Sequence, residues 1–426
     1  MLIYFAYITM VHSHTIERRG LSSWKDEWMG AIVFIGSSTT GSSMDALAAA
    51  GRLGYTAILI TDRKAFLRRR LENVHLIYME SLEEGMIRKQ LFQLIQSGHD
   101  MKAIISFVDP YVSMAARLCN EFCGAGISFE ALQLMEDKMT TRLALQHNPA
   151  TCDFAMIPIG NPESSVQNYP FILKKTVSNG SKDVFHIENE KELNITVKKL
   201  TKHLQGMPLL KEEFIEGPQY VIEVVVIDAL PIIVAVIQQE IVQDYTFIVT
   251  AYDVVIGMDE AVYRRLWKTI NSIIAEIGLQ HGTCHFEMRL SPNGWKLIEL
   301  NPRISGGAMN RMIEEAFGIN LVMETIKLYL GEEPNLVRKK RQAVHSTYIT
   351  INNIGYLVEL EGVEQAASSP GVVDVQVKPS IGATIMPPLS MGHRYGYVMA
   401  VGESSEEARE RAENAVRLIK FYIEPF

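Results

Sequence analysis

A two-stranded reversal late in the chain constrains its fold more than any other feature. Apolar runs at 283–290 and 295–300 flank Ser-Pro-Asn-Gly at 291–294. Asn-Gly between such runs is a strong hairpin signal. Side chains alternate along a strand, so His285, Glu287 and Arg289 share one face of the first run, and Glu299 and Asn301 share one face of the second. Closing the hairpin brings Glu287 and Glu299 together, with Asn301 beside them. A single glutamate on a strand is ordinarily exposed and inert. Two facing each other across a sheet are costly without a cation. Two carboxylates and an amide oxygen form a hard-oxygen set suited to Mg²⁺, with Mn²⁺ as the alternative, that also accepts phosphate oxygens as ligands. Arg303 follows directly, a planar fork for a phosphate or a developing oxyanion. Gly306-Gly307, ahead of a helix predicted from Met309, offers backbone N–H groups to an anion.

The first part of the chain reads differently. Short apolar runs at 31–35, 56–60, 75–78 and 103–107 alternate with helical patterns, the first of them from 44 to 53 with Gly54 as its stop. Such alternation means βαβ units and a parallel sheet covered on both faces, an open Rossmann-like domain over 30–137. Gly36 to Gly41 has phosphate-loop spacing, but Ser42 stands where a Walker A lysine belongs. The loop reads either as a small-anion site at a helix start or as a plain tight turn. Asp109-Pro110 likewise reads either as a charged substrate contact or as a helix cap.

From Asp137 the pattern is α+β with antiparallel strands: a helix at 138–146, a strand at 171–174, a polar loop at 178–182, a helix at 189–204, strands at 209–214 and 220–227, hairpin strands over 231–250, and a helix at 259–277. The tail from Ala343 adds strands and a final helix over 405–422. The expected units are 138–215 and 216–335, the two α+β halves of one domain, and a small α+β domain at 336–426. Residues 1–29 read as an extension outside the core, with translation from Met29 as an alternative.

Composition excludes several classes. The 426 residues are 47% hydrophobic and carry a net charge of -8. That suits a globular enzyme and argues against a nucleic-acid binder, which usually shows a basic surplus. The apolar stretch at 2–11 lacks a basic lead and is too short to span a bilayer. Four cysteines with no C-x-x-C pair fit a reducing cytoplasm, with Cys119 and Cys123 as buried thiols on one helical face.

The string from His285 to Gly307 resembles the metal-binding signature of the ATP-grasp superfamily, and further landmarks appear in that family's order. Glu136-Asp137-Lys138 resembles the first ATP-lysine segment. Pro170-Phe-Ile-Leu-Lys174 is similar to the second, with Lys175 as the fallback in register. Ser178-Asn-Gly180-Ser181 occupies the place of the loop that closes over phosphates. Glu212-Glu213-Phe214-Ile215 resembles the adenine-reading hinge, and Glu223 continues that strand. Gln219 stands where many relatives carry an acidic ribose contact, a departure from the pattern that an amide still accommodates.

The resemblance implies an ATP-dependent carboxylate–amine ligase acting through an acyl phosphate. ATP would be held by Lys138, Lys174, the 178–181 loop and the 212–223 segment, the metal by Glu287, Glu299 and Asn301, and the oxyanion by Arg303. The layout most resembles bacterial L-amino acid ligases, which make dipeptides. In that reading Asp109 holds a substrate amine, and Gly306, Gly307 and Met309 shape the substrate pocket. The implied partners are small amino acids, with no nucleic acid or membrane, and a homodimer is the default assembly. Two alternatives stay open: a purine-biosynthesis or biotin-carboxylase-like ligase, and a nucleotide-binding regulatory protein without catalysis.

Overall fold

The computed structural model describes residues 30–157, 168–176, 183–201, 209–243 and 247–426. The expectation for 1–29 lies outside these residues.

Strands β1 (Ala31–Ile35), β2 (Thr56–Thr61), β3 (Val74–Tyr78) and β4 (Met101–Ile105) form a wholly parallel sheet in the order β3-β2-β1-β4. Helices α1 (Ser42–Arg52), α2 (Glu84–Gln96) and α3 (Val112–Cys123) connect and follow them. All five residues of β1 are buried, as a strand covered on both faces requires. The strand predicted over 103–107 starts two residues earlier and stops at Ile105. Ser106 ends it: its Oγ accepts the Val108 N–H at 3.1 Å, turning the chain into the loop that carries Asp109. Cys119 is buried and Cys123 partly so, and neither is in a disulfide.

Helices α4 (Phe129–Met135) and α5 (Lys138–Ala144) follow, the latter capped by Asp137, whose Oδ1 accepts the Thr140 N–H at 2.8 Å. Strands β5 (Phe154–Ile157), β6 (Phe171–Lys175), β7 (Val184–Ile187) and β8 (Leu209–Glu213), with helix α6 (Glu190–Thr201), make an antiparallel sheet ordered β5-β8-β6-β7 over its own small core.

The remaining strands are β9 (Gln219–Ile227), β10 (Leu230–Gln243), β11 (Phe247–Val254), β12 (Gly282–Ser291), β13 (Gly294–Asn301), β14 (Ala343–Ile349), β15 (Gly355–Glu361), β16 (Val372–Val377), β17 (Thr384–Ile385), β18 (Gly396–Gly402) and β19 (Lys420–Glu424). Helices α7 (Glu260–Ile277), α8 (Met309–Phe317), α9 (Leu321–Tyr329), α10 (Val363–Ala367) and α11 (Ser405–Val416) lie among them. Eight strands form one antiparallel sheet, β13-β12-β9-β10-β11-β14-β18-β16. Pairing of β11 with β14, with Asp253 opposite His345, carries this sheet without a break past residue 336.

The final helix predicted over 405–422 is too long. It ends at Val416, and 420–424 instead pairs with β15. Apolar Phe421 and Ile423 alternate with outward Lys420, Tyr422 and Glu424, and both pack into the small cores beneath. Aromatic and β-branched residues with period two favour a pleated surface over another helical turn. Among the described residues, no helix is long and apolar enough to cross a membrane.

Candidate active site

The hairpin of β12 and β13 places Glu287 directly opposite Glu299, and His285 opposite Asn301. A bulge just beyond Glu287 leaves Ile298 without a partner, since Met288 pairs with Leu297. That extra residue turns its carbonyl toward two cations, accepting from Arg142 Nη2 at 2.9 Å and from Lys174 Nζ at 3.5 Å.

Lys138, the first residue of α5, brings its Nζ within 3.2 Å of Glu299 Oε1. Lys174 on β6 is buried and pairs with Glu212 Oε2 at 2.7 Å. The other Glu212 oxygen accepts from Arg142 Nε at 2.6 Å. Arg142 is the residue that sequence reasoning missed. It lies four positions after Lys138 on the same face of α5, and that spacing was the available signal.

The electrostatics follow from this packing. Burial alone would raise Glu212, but Arg142 and Lys174 outweigh it and hold the carboxyl at about 2. Burial and the facing Glu299 push Glu287 up to about 7, against the pull of Lys138 and Lys174. Glu299 moves the other way. Burial opposes its ionisation, yet Lys138 and Lys174 bring it below the usual carboxylate range.

A second chain of contacts ties this pair to the segment after β8. Gln219 Nε2 donates to Glu287 Oε2 at 3.1 Å, and Gln219 Oε1 accepts from Arg289 Nε at 2.9 Å. Arg289 Nη1 donates to the Ile215 carbonyl at 2.5 Å, and its guanidinium lies 5.4 Å from the Phe214 ring centre. The His186 ring approaches Phe214 at 4.4 Å. Glu213 is exposed, its N–H bonded to the Asp153 carbonyl at 2.8 Å. Gln219, expected at the ribose, thus bridges a metal-ligand candidate and Arg289.

Glu223 was expected among the nucleotide contacts. The structure turns it elsewhere: it is fully buried and its carboxylate accepts the Ser305 N–H at 3.1 Å and the Ser305 hydroxyl. Burial pushes it up to about 7. From β9 it anchors the loop that carries Arg303 and the two glycines. His285 supports the same loop from β12, its Nδ1–H donating to the Arg303 carbonyl at 2.8 Å. Burial lowers His285 to about 4, so it is neutral at physiological pH.

Arg303 itself forms a forked pair with Asp109 Oδ2, through Nε at 3.0 Å and through Nη2. Helix α3 begins at Val112 after Tyr111, so Asp109 is an ion-pair partner and not the cap. Its other oxygen is buried without a hydrogen bond. Beside it opens a cleft of about 190 Å³ lined by Gly36, Ser37, Asp62, Arg63 and Tyr111. This lies beyond the carboxyl ends of the parallel strands, where the sheet order turns around β1, the usual ligand position in open α/β sheets. Gly41 and Gly307 meet back to back at φ 73 and 66, and a Cβ on Gly41 would stand 3.0 Å from the Gly307 nitrogen. Gly306 has open space around it, while Met309 is buried at the start of α8. Ser178, Gly180 and Ser181, with the lid expected there, lie outside the described residues.

Known proteins resemble this chain in sequence and in fold. Residues 167–311 match the ATP-grasp domain model, and 347–424 match the model of L-amino acid ligase C-terminal domain 2. The crystal structure of the L-amino acid ligase from Bacillus licheniformis superposes with a TM-score of 0.81 at 19% identity, covering 93% of this chain and 99% of that one. The L-arginine-specific L-amino acid ligase of Bacillus subtilis is 19% identical over 314 residues, 71% of this chain and 76% of that protein. The biotin carboxylase domain of the Hydrogenobacter thermophilus 2-oxoglutarate carboxylase, solved with MgADP and bicarbonate, superposes at a TM-score of 0.68 and 17% identity, covering 93% and 91%. Residues 167–311 form an ATP-grasp domain, and the chain is an ATP-dependent ligase that forms a carbon–nitrogen bond between a carboxylate and an amine. Within that class it is related to the L-amino acid ligases.

Proposed function

We propose that this enzyme joins two L-amino acids into a dipeptide through an acyl phosphate, releasing ADP and phosphate. The observation that carries this reading is the partly buried, face-to-face pair Glu287–Glu299, flanked by Lys138 and Lys174, with the forked Arg303–Asp109 pair held on the neighbouring loop.

Two carboxylates forced together, one of them pushed up to about 7, fit a divalent cation. Among the described residues no three His, Cys, Asp or Glu side chains gather into a metal cluster, so the phosphates would complete the shell. Glu287, Glu299 and Asn301 would hold Mg²⁺ or Mn²⁺, which would neutralise phosphate charge. Lys138 and Lys174 orient the triphosphate, and the 212–215 segment, braced by Arg289, receives the base. An oxygen of the substrate carboxylate attacks the γ-phosphorus as the bond to ADP breaks, a step that depends on positioning and charge neutralisation. The amine of the second amino acid then attacks the carbonyl carbon. Its proton passes to the departing phosphate, which leaves with the electron pair of the broken C–O bond. Arg303 stabilises the negative oxygen of the tetrahedral intermediate. Asp109, with an oxygen to spare, takes the ammonium of the acyl donor.

ADP release measured over the twenty amino acids, singly and in pairs, with products weighed by mass spectrometry, tests the reading. Pair-dependent ADP and a dipeptide mass are expected. ADP released with bicarbonate or formate instead would place the enzyme with the other ATP-grasp ligases, and ATP binding without turnover would make it a regulatory protein.

A further inference from the structure

A second cleft, of about 240 Å³, lies where α1, α8 and the sheet strands β16 and β18 meet. None of Lys138, Lys174, Glu287, Glu299, Asp109 or Arg303 lines it, and it touches the reaction loop only at Gly307 and the adjoining Asn310. Three carboxylates line it, Asp45 from α1, Glu314 from α8 and Asp374 from β16. Tyr397 donates to Asp374 Oδ2 at 2.6 Å, and the other oxygen has no hydrogen bond among the described residues. Asp45 makes no hydrogen bond or ion pair among the described residues, and loss of hydration in the cleft, with Asp374 and Glu314, raises its pKa against the pull of Arg52 and Arg311. Glu314 is already engaged by Arg311 and Asn320, each at 3.3 Å. Arg52, two turns along α1 from Asp45, stands at the rim without a hydrogen bond or close ion pair among the described residues.

One further group is under-used. Asn310 is 5% exposed and lines the cleft, and its Oδ1 has no hydrogen-bond donor. A buried acceptor left this way is costly unless a ligand or water satisfies it. The Asn310 amide nitrogen donates to the Ser305 carbonyl at 2.8 Å and to Ser42 Oγ, so this side chain also holds the loop that carries Arg303.

We propose that this cleft is a second, non-catalytic amino-acid site, which takes an ammonium group between Asp45 and Asp374 and a carboxylate at Arg52. The unpaired acids and the Asn310 carbonyl accept hydrogen bonds, which calls for a donor-rich cation. The guanidinium at the rim disfavours a bare divalent ion and suits a zwitterion. Contact with Asn310 and Gly307 makes occupancy felt by the reaction loop.

Titration calorimetry of the nucleotide-free full-length protein tests this, with glycine, L-alanine and L-arginine as probes and glycolate and L-lactate as partners lacking the ammonium. At least one amino acid should bind wild type, its hydroxy-acid counterpart should not, and Asp45→Asn or Asp374→Asn should weaken binding about tenfold or more, the loss of one charged hydrogen bond. Asp109→Asn, which alters the reaction site, should leave this binding in place. Asp45 is exposed on α1 and Asn keeps the acceptor for Tyr397 at 374, so unchanged melting temperatures should accompany both variants. The proposal is overturned if no probe binds, if both variants bind as wild type does, if only Asp109→Asn abolishes binding, or if Mg²⁺ displaces the amino acid competitively.

Discussion

Replacing Glu212 with glutamine isolates the charge that ties α5 to strands β6 and β8 in the proposed nucleotide cleft. Its oxygens are shared between Arg142 on α5 and Lys174 on β6, all three side chains being buried. The carboxyl falls from an ordinary 4.5 to about 2. At about 1.4 kcal/mol per unit this corresponds to about 3 kcal/mol of stabilisation at neutral pH. Removing one partner of a buried ion pair costs about 3–5 kcal/mol in general, because the remaining charges stay buried without compensation. Both routes give the same size of effect. Since a chain of several sheets need not unfold in one step, native-state hydrogen exchange of the β6 and β8 amides is the suitable assay. At pH 7 their protection should fall about a hundredfold in Glu212→Gln. The sign with pH follows from the depressed value. The contribution is complete above 4.5 and is lost as pH falls toward about 2, so variant and wild type should converge across that window. A loss under about tenfold at pH 7, or a gap that stays constant from pH 7 to pH 3, would refute the argument that these cations stabilise an ionised Glu212.

Three further substitutions probe the rest of the site. Glu299→Gln should eliminate Mg²⁺-dependent ADP release, and normal turnover in that assay would remove Glu299 from the metal shell. Arg303→Ala should abolish product formation while ATP affinity stays within about tenfold, because its role belongs to the transition state; a parallel loss of ATP binding would contradict that assignment. Glu223, raised from 4.5 to about 7, keeps its proton longer in the folded protein, so its contribution falls as pH rises through that interval. Glu223→Gln should flatten the decline, gaining in melting temperature on wild type between pH 5 and pH 8; an identical pH dependence would exclude a shifted Glu223.

The site was legible where chemistry depends on period and turn. Alternation plus Asn293-Gly294 was enough to find the hairpin, but the register set by that turn alone would put Glu287 opposite Ile298; the bulge at Ile298 shifts it by one residue and brings Glu299 opposite Glu287. What that reasoning could not see was the third dimension of the sheets. Gln219 and Glu223 lie four residues apart on β9 and both read as nucleotide contacts. Their partners come from other segments: Gln219 meets Arg289 and Glu287, and Glu223 meets Ser305, 82 positions away. Arg142 lay hidden for the same reason, since its partners Glu212 and Leu297 are 70 and 155 positions distant. The overlong final helix is a different failure. Helix-forming Glu-Glu-Ala-Arg-Glu-Arg-Ala carried the pattern past the point where β15 offered a better place for Phe421 and Ile423.

The long-range contacts that the sequence concealed also explain how one sheet serves both halves of the proposed reaction. On the nucleotide side, Glu287 is coupled through Gln219 and Arg289 to the Ile215 carbonyl, so the segment proposed to receive the base cannot shift without disturbing a candidate metal ligand. On the substrate side, Glu223 and His285 face each other across β9 and β12 and both bond the 303–305 loop, so Arg303 inherits its position from the same two strands. Neither support needs to be charged: His285 is neutral, and Glu223 sits near its midpoint at neutral pH. On the nucleotide side the support is charged instead, the buried Arg142–Glu212 pair holding Lys174, while Lys138, Lys174, Glu299, Arg303 and Asp109 are the charges proposed to face phosphate, carboxylate or amine. A site built this way fixes Arg303 through neutral or half-neutral side chains and Lys174 through a compensated ion pair, so the reacting groups are held in place before charge develops, as preorganised stabilisation requires.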